Sequence, residues 1–387
     1  METIKIYNKI AEEGLQVLNP FYEIKTDASN PKAILLRSQD LHQEQISDSV
    51  LAIARAGAGT NNIPIAQCTE KGIVVFNTPG ANANAVKELA IAALFLASRN
   101  IVNAVDWVKK LSPPNIAEQV EKGKAQFSGP ELYGKSLGVI GLGAIGVNVA
   151  NAALDLGMDV WGYDPYLSVD AAWGLSRNVK KAEQLQHIFQ NCDYITVHIP
   201  MSKATEGFLN AAAFEQMKNG VRLLNLSRGE LVNDTDLIGA IEAGKVAAYV
   251  TDFPNETLVN IPQVIAIPHL GASTPESEIN CAVMAAKFLK TYLENGNIHK
   301  SVNFPSVEMP PSSPFRITFC HQNIPNMIGQ ISGAMAAEGI NIVNLINKSK
   351  DTLAYTIMDI EQPVADAVIA KLNQIQGMIR VRCIYSK

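Results

Sequence analysis

Residues 136–156 read as an apolar strand, a glycine-rich turn and an apolar helix, with Gly141, Gly143 and Gly146 in G-x-G-x-x-G spacing. That order leaves few folds open. The glycines allow a tight turn, close approach of backbone to a diphosphate, and close helix–sheet packing. The helix start then offers free N–H groups and partial positive charge to phosphate oxygens. Gly141, Gly143, Ala144, Ile145 and Gly146 are therefore expected to hold a dinucleotide. About twenty residues on, the next strand ends in Tyr163-Asp164, where a carboxylate accepts bonds from an unphosphorylated ribose and repels a 2′-phosphate. The expected cofactor is NAD. The alternative is a plain strand–helix turn with a surface aspartate; strand, glycines, helix and acid in register weigh against it.

The rest of the chain repeats this grammar. Strand candidates at 136–140, 160–163, 194–197, 221–225, 248–251 and 264–267 recur at about the 25–35-residue spacing of βαβ units. Residues 4–7, 33–36 and 73–76 read as strands and 88–99 as a buried helix. Strands alternating with helices imply parallel α/β sheets. After a helix at 276–295, Pro305, Pro310, Pro311, Ser312, Ser313 and Pro314 interrupt either kind of element and read as an interdomain linker. From Phe315 the order is strand, helix, strand, strand, helix, strand, a ferredoxin-like βαββαβ pattern. The expected fold is α/β: two Rossmann-like parallel-sheet domains plus a C-terminal ferredoxin-like domain.

Composition excludes other classes. The net charge is -5 with no basic stretch, against nucleic acid as a partner. The N-terminus carries Glu2 and no long apolar core, unlike a signal peptide. The longest apolar run, 89–97, is too short for a bilayer. Five scattered cysteines, with no Cys-x-x-Cys, suit reduced thiols in a cytoplasmic protein and argue against a disulfide framework or a metal site.

Three polar residues stand where strands of the second block end, the usual ligand position in open α/β sheets: Arg228, Glu256 and His269. Moving a hydride from an alcohol carbon to a nicotinamide requires removal of the hydroxyl proton. A histidine with a free pKa near about 6.5 suits that task. A carboxylate beside it would stabilise the imidazolium, and an arginine would hold a substrate carboxylate. Taken singly, Arg228 and Glu256 also read as surface residues and His269 as a loop histidine. His198 reads as structural at the cofactor edge; His42, His187 and His299 carry no motif.

Together, Asn225-x-x-Arg228-Gly229, Phe253-Pro-x-Glu256 and Pro268-His269-x-Gly271-x-Ser273-Thr274, following a G-x-G-x-x-G, resemble the D-isomer-specific 2-hydroxyacid dehydrogenase family. The resemblance covers residues 1 to about 302. It implies that Arg228, Glu256 and His269 are the catalytic trio and that Leu226 and Asp252 add cofactor contacts. It also implies that the cofactor domain is inserted within the substrate domain. The expected organisation is 1–100 plus 276–302 for substrate, 101–275 for NAD, 303–314 as linker and 315–387 as a regulatory domain. Two positions depart from the family. Many members carry aspartate two residues before the Phe of Phe-Pro-x-Glu; here that slot is Thr251 and Asp252 is one place later. Ile199 stands where a small hydroxyl residue is common.

Within the family, Leu36-Arg37-Ser38, the stretch 55–60 beginning at Arg55, and the stretch 76–82 ending at Asn82 resemble the phosphoglycerate branch. That implies 3-phosphoglycerate as substrate, with Arg37, Ser38, Arg55 and Asn82 as contacts. Guanidinium forks match phosphate oxygens, although two arginines in this stretch are unremarkable by composition. The tail resembles an ACT domain, and His321-x-Asn323 and Asn341 match the polar positions of serine-sensing members. By residue type alone these asparagines read as turn residues and His321 as a loop residue. The resemblance implies L-serine as effector and a homo-oligomer, dimer or tetramer. Asn326 stands where glycine usually follows the proline, and asparagine tolerates positive φ. Two other readings remain at this point: a related dehydrogenase for 2-hydroxyglutarate, glyoxylate or lactate, and a non-catalytic NAD-sensing scaffold like the family's co-repressors.

Overall fold

The computed structural model describes residues 1–385. They fall into two compact units: Met1–Asn82 with residues from 275 onward, and Ala83–Thr274. The first unit opens with β1 (Glu2–Ile6), β2 (Tyr22–Lys25), β3 (Ala33–Leu36), β4 (Ala52–Arg55) and β5 (Val74–Phe76), an all-parallel sheet in the order β2-β1-β3-β4-β5. β3 and β5 are buried throughout, which is why they read as unbroken apolar runs rather than alternating ones. The helix Pro275–Asn295 turns Ala282, Ala285, Ala286, Leu289 and Leu293 inward at helical spacing to cover this sheet. It packs so closely on the helix Glu12–Leu18 that a Cβ at Gly14 would lie 2.7 Å from Ala282.

The second unit contains β6 (Ser136–Ile140), β7 (Asp159–Tyr163), β8 (Lys180–Lys181), β9 (Tyr194–Val197), β10 (Val221–Asn225), β11 (Val246–Thr251) and β12 (Val264–Ala266). They form one parallel sheet in the order β12-β11-β10-β9-β6-β7-β8. The strand order reverses between β6 and β9, the crevice where doubly wound sheets bind ligands.

Helix Ala83–Arg99 belongs to this second unit, so the division falls at residue 82 rather than at the expected residue 100. Its buried apolar face, Ala90, Ala93, Leu94 and Ala97, packs into one core with Leu137, Val149, Ala150, Leu224 and Val250. The Arg222 Nε donates to the Ala97 carbonyl (3.0 Å), and Ser98 Oγ bonds Tyr194 OH (2.7 Å). The sequence reading identified a buried helix here but not the sheet it covers.

The tail forms β13 (Phe315–Gln322), β14 (Ile342–Lys350), β15 (Leu353–Ile360) and β16 (Met378–Tyr385), antiparallel in the order β14-β15-β13-β16. Helices Met327–Ala337 and Asp366–Asn373 share a core with one face of it, through Ile317, Phe319, Met358 and Ile360. Asn326, just before the first helix, takes φ 62°, the left-handed geometry that glycine would otherwise supply.

The residues that alternate with these, Cys320, Tyr355 and Ile357, join the core of the first unit beside Leu289, Tyr292, Phe304 and Val307. The tail therefore is not set apart by a free linker. Within the proline-rich segment expected to be that linker, Phe304, Val307 and Met309 are buried in the same core. Prolines bar regular structure there, but the apolar residues between them still pack.

Candidate active site

The glycine turn is built as its spacing requires. Gly141 has φ 89°, and a Cβ there would lie 2.7 Å from the His198 carbonyl oxygen; at Gly146 it would lie 1.9 Å from the Gly141 oxygen. Both positions need glycine, for backbone conformation at the first and for close approach at the second. At Gly143 a Cβ would meet open space. This residue caps helix Ala144–Asp155 without a side-chain bond. The first-turn N–H groups at Ala144, Ile145 and Gly146 have no intrahelical acceptors, so the turn can cradle an anion.

Asp164 follows β7. Its Oδ2 accepts from the Leu142 N–H and its Oδ1 from the Tyr166 N–H, both at 2.8 Å, tying the acid to the glycine turn. A cavity of about 340 Å³ beside it is lined by Leu142, Gly162, Asp164, Pro165, Leu167 and Leu175. This cavity, which Lys180, Lys181 and Glu183 also line, the tethered carboxylate and the open glycine turn together fit a dinucleotide.

Past the ends of β9–β12 the polar residues gather round Phe253. The buried Asn225 shapes the turn that aims Arg228: its Oδ1 accepts from the Ser227 N–H (3.2 Å) and its Nδ2 donates to the Arg228 carbonyl (2.8 Å). Ser227 Oγ ties that turn to the Val197 carbonyl at 2.8 Å. Arg228 Cζ lies 6.0 Å from the centre of the Phe253 ring, and the His269 ring centre lies 4.7 Å from it. The Phe253 ring thus stands beside both Arg228 and His269.

Asp252 lies beneath them, buried, with Oδ2 accepting from the Gly271 N–H (3.1 Å) and Oδ1 enclosed without a partner among the described residues. Burial pushes its carboxyl above the usual range, against the pull of the Gly271 N–H and of His269 and Arg228. The aspartate one place later than usual in the sequence therefore still reaches the site. Glu256 is exposed, on a turn held by Asn255, whose Oδ1 accepts from the N–H groups of Thr257 and Leu258. No hydrogen bond or ion pair joins Glu256 to His269 among the described residues. Leu226 is buried in the core under the turn.

His198 sits just past the end of β9, with Nε2 bonded to Thr196 Oγ1 (2.9 Å) and Nδ1 enclosed without a partner among the described residues. Burial pulls its pKa down to about 4, which keeps it neutral.

In the first unit the polar residues sit at that sheet's own strand-order reversal, between β1 and β3. The N–H groups of Arg37, Ser38 and Gln39 converge on Asn8 Oδ1 (3.4, 3.0 and 2.8 Å). The Arg37 carbonyl accepts from Arg55 Nε (2.9 Å) and Asn62 Nδ2 (3.3 Å). Arg37, Ser38 and Arg55 are thus one assembly. Asn82 lies elsewhere, closing the unit's first segment, with its Oδ1 enclosed and without a partner among the described residues. The sequence reading missed Asn8 and Asn62. Their signal was an asparagine just past each of two strand–loop segments, too common a placement to single out.

The tail residues expected to meet an effector divide. Asn323 and Asn341 are exposed. His321 is buried, and both its ring nitrogens are engaged, Nδ1 with the Gln322 carbonyl (2.8 Å) and Nε2 with Thr356 Oγ1 (2.9 Å). Because β13 is covered on both faces, this ring is not offered to a ligand as expected.

Among the described residues no single helix is long and apolar enough to cross a membrane. Also among the described residues, no three or more metal-binding side chains cluster.

Comparison with known proteins bears on this geometry. Residues 91–271 match the NAD binding domain of the D-isomer specific 2-hydroxyacid dehydrogenases. The chain is 31% identical to a D-3-phosphoglycerate dehydrogenase of Haemophilus influenzae, over 94% of this chain and 89% of that one. It is 34% identical to a D-3-phosphoglycerate dehydrogenase of Archaeoglobus fulgidus, over 88% of this chain and 64% of that one. Among solved structures, NAD+-bound 3-phosphoglycerate dehydrogenase of Entamoeba histolytica shares the fold, with a TM-score of 0.59 at 24% identity, covering 78% of this chain and 98% of that one.

Proposed function

Because this chain belongs to the D-isomer-specific 2-hydroxyacid dehydrogenases, which are NAD-dependent enzymes, we propose that it oxidises 3-phospho-D-glycerate to 3-phosphohydroxypyruvate, the entry step of serine synthesis. One observation carries the chemical part: Arg228 and His269 stand beside a single aromatic ring near a buried aspartate, past the carboxyl ends of strands in the same sheet that bears the glycine turn. The substrate part rests on the Arg37–Arg55 assembly and on the activity named for relatives such as those of H. influenzae and A. fulgidus.

NAD, when bound, supplies the hydride acceptor at its nicotinamide ring. The first-turn N–H groups at 144–146 would hold its diphosphate, and Asp164 would accept from its adenosine ribose hydroxyls. The enclosed Asp252 Oδ1 is an acceptor without a donor, and the amide of the nicotinamide would supply one. His269 takes the C2 hydroxyl proton as the hydride leaves the same carbon, so an alcohol becomes a ketone with one proton left on the imidazole. Arg228 grips the substrate carboxylate and steadies charge building on the carbonyl oxygen. Glu256 is assigned to stabilise the imidazolium on the family resemblance; its exposure and the lack of a bond to His269 among the described residues weigh against that role. Arg37 and Arg55 are assigned to the phosphate, with Ser38 and Asn82 as further contacts.

The tail is assigned as an ACT-type sensor through which L-serine inhibits a homo-oligomer. Support comes from its βαββαβ order and the exposed Asn323 and Asn341. The sequestered His321 weighs against a contact from that ring.

The test is NADH formation by the purified protein with 3-phosphoglycerate, D-lactate, D-2-hydroxyglutarate or no substrate. Turnover preferring 3-phosphoglycerate is expected. Preference for an unphosphorylated acid would assign a sibling activity, and no turnover on any would favour a non-catalytic NAD binder.

A further inference from the structure

Arg37 is held in place before its guanidinium is considered. Its N–H points at Asn8 Oδ1, and its carbonyl accepts from Arg55 Nε and Asn62 Nδ2. The guanidinium itself ends on a carboxylate: Nη2 lies 2.8 Å from Glu278 Oε1, in the first turn of the helix Pro275–Asn295. The two side chains are 40% and 46% exposed, so solvent and solutes reach the pair.

We infer that Glu278 is the counter-ion a substrate phosphate must displace from Arg37, and that it sets how strongly the protein selects a phosphorylated over an unphosphorylated acid. The inference rests on the assignment of Arg37 to the phosphate. Its sign follows from the backbone bonds. Asn8, Arg55 and Asn62 fix the position of Arg37 without Glu278, so removing the carboxylate costs little in placement. What disappears is competition for the guanidinium and repulsion of an incoming dianion. An exposed pair of this kind moves an equilibrium by about two- to five-fold.

The experiment compares affinities for 3-phosphoglycerate and for D-glycerate, the same acid without its phosphate. It does so in the wild type, Glu278→Gln, Arg37→Ala and the double variant. Glu276→Gln, an exposed acid in the same first turn, controls for net charge. Glu278→Gln should raise the preference for 3-phosphoglycerate about two- to five-fold. The gain should vanish in the Arg37→Ala background, and Glu276→Gln should not reproduce it. If Arg37→Ala weakens only the phosphorylated acid while Glu278→Gln leaves the preference unchanged or lowers it, the inference is overturned and the assignment of Arg37 stands. Equal losses on both acids in Arg37→Ala would remove that assignment, and the inference with it.

Discussion

Replacing Arg316 with methionine should destabilise the protein far more than loss of a surface ion pair. Arg316 and Asp359 face each other from β13 and β15 with side chains 3% and 0% exposed. Nε and Nη2 donate to the two carboxylate oxygens at 2.6 and 3.0 Å. Ser312 adds its N–H (2.8 Å) and hydroxyl (2.7 Å) to the same carboxylate. Arg316 Nη1 also donates to the carbonyls of Asn295 (2.8 Å) and Met309 (2.9 Å), joining the end of the long helix to the proline-rich segment and the tail. Arg316→Met leaves a buried carboxylate without its cation and two carbonyls without donors. Breaking such a pair from one side costs about 3–5 kcal/mol, against roughly 1 kcal/mol or less at a surface.

Urea unfolding at pH 7, followed by far-UV circular dichroism, should show the midpoint falling by about 1 M or more. Arg316→Met with Asp359→Leu removes both charges and should cost clearly less than the two single changes added together. The pH dependence has a defined sign. Burial pushes the Asp359 carboxyl up, but the Arg316 and Ser312 bonds outweigh it and hold it below the ordinary 3.8. Its contribution is therefore present above that value and is lost as pH falls below it toward the lowered folded-state pKa. A single-variant cost under about 1 kcal/mol would refute the reasoning, because it would mean the pair is solvated and the tail is not docked as described.

His269→Ala should lower turnover by about 10²–10⁴-fold while NADH still binds, as read by fluorescence titration, because the imidazole moves a proton and does not dock the cofactor; near-normal turnover would dismiss it as the base. The ratio of kcat/KM for NAD over NADP should be large, since Asp164 is tied to the glycine turn where a 2′-phosphate would meet it; equal values would remove that role. L-serine should inhibit several-fold, the ordinary size of coupling between sites, and Asn341→Ala should abolish the sensitivity. Calorimetry showing no serine binding at millimolar concentration would leave the tail an assembly or stability element.

Where local chemistry decided the structure, the sequence was a good guide. The strand–glycine–helix order at 136–156 and the long apolar strands could be read because turn geometry and burial each leave a short-range mark. β2 and β4 went unread: one is a four-residue edge strand, and the other runs into the glycine-rich stretch after Arg55. The boundary at residue 82 and the buried proline-rich segment were invisible for another reason. Which surface covers the helix Ala83–Arg99, or Phe304 and Val307, is settled by distant strands. The same holds for the tail. Its βαββαβ order was legible, but not that Cys320, Tyr355 and Ile357 would complete another sheet's core. Removing residues from 315 onward should therefore expose Leu289 and Tyr292 and weaken the first unit, rather than simply release it from regulation. At the site, the motifs marked Arg228, Glu256 and His269, but not that Glu256 would stand exposed and unbonded to His269 among the described residues, nor that the Phe253 ring would lie beside both Arg228 and His269.

The central claim is hydride transfer from the C2 carbon of 3-phosphoglycerate to NAD. The purified protein, given NAD and 3-phosphoglycerate deuterated at C2, with the ketone trapped by a hydrazine, should yield NADH carrying one deuterium and an equal amount of the trapped phosphohydroxypyruvate by mass spectrometry. NADH without deuterium, or none formed above the His269→Ala level, would contradict the account.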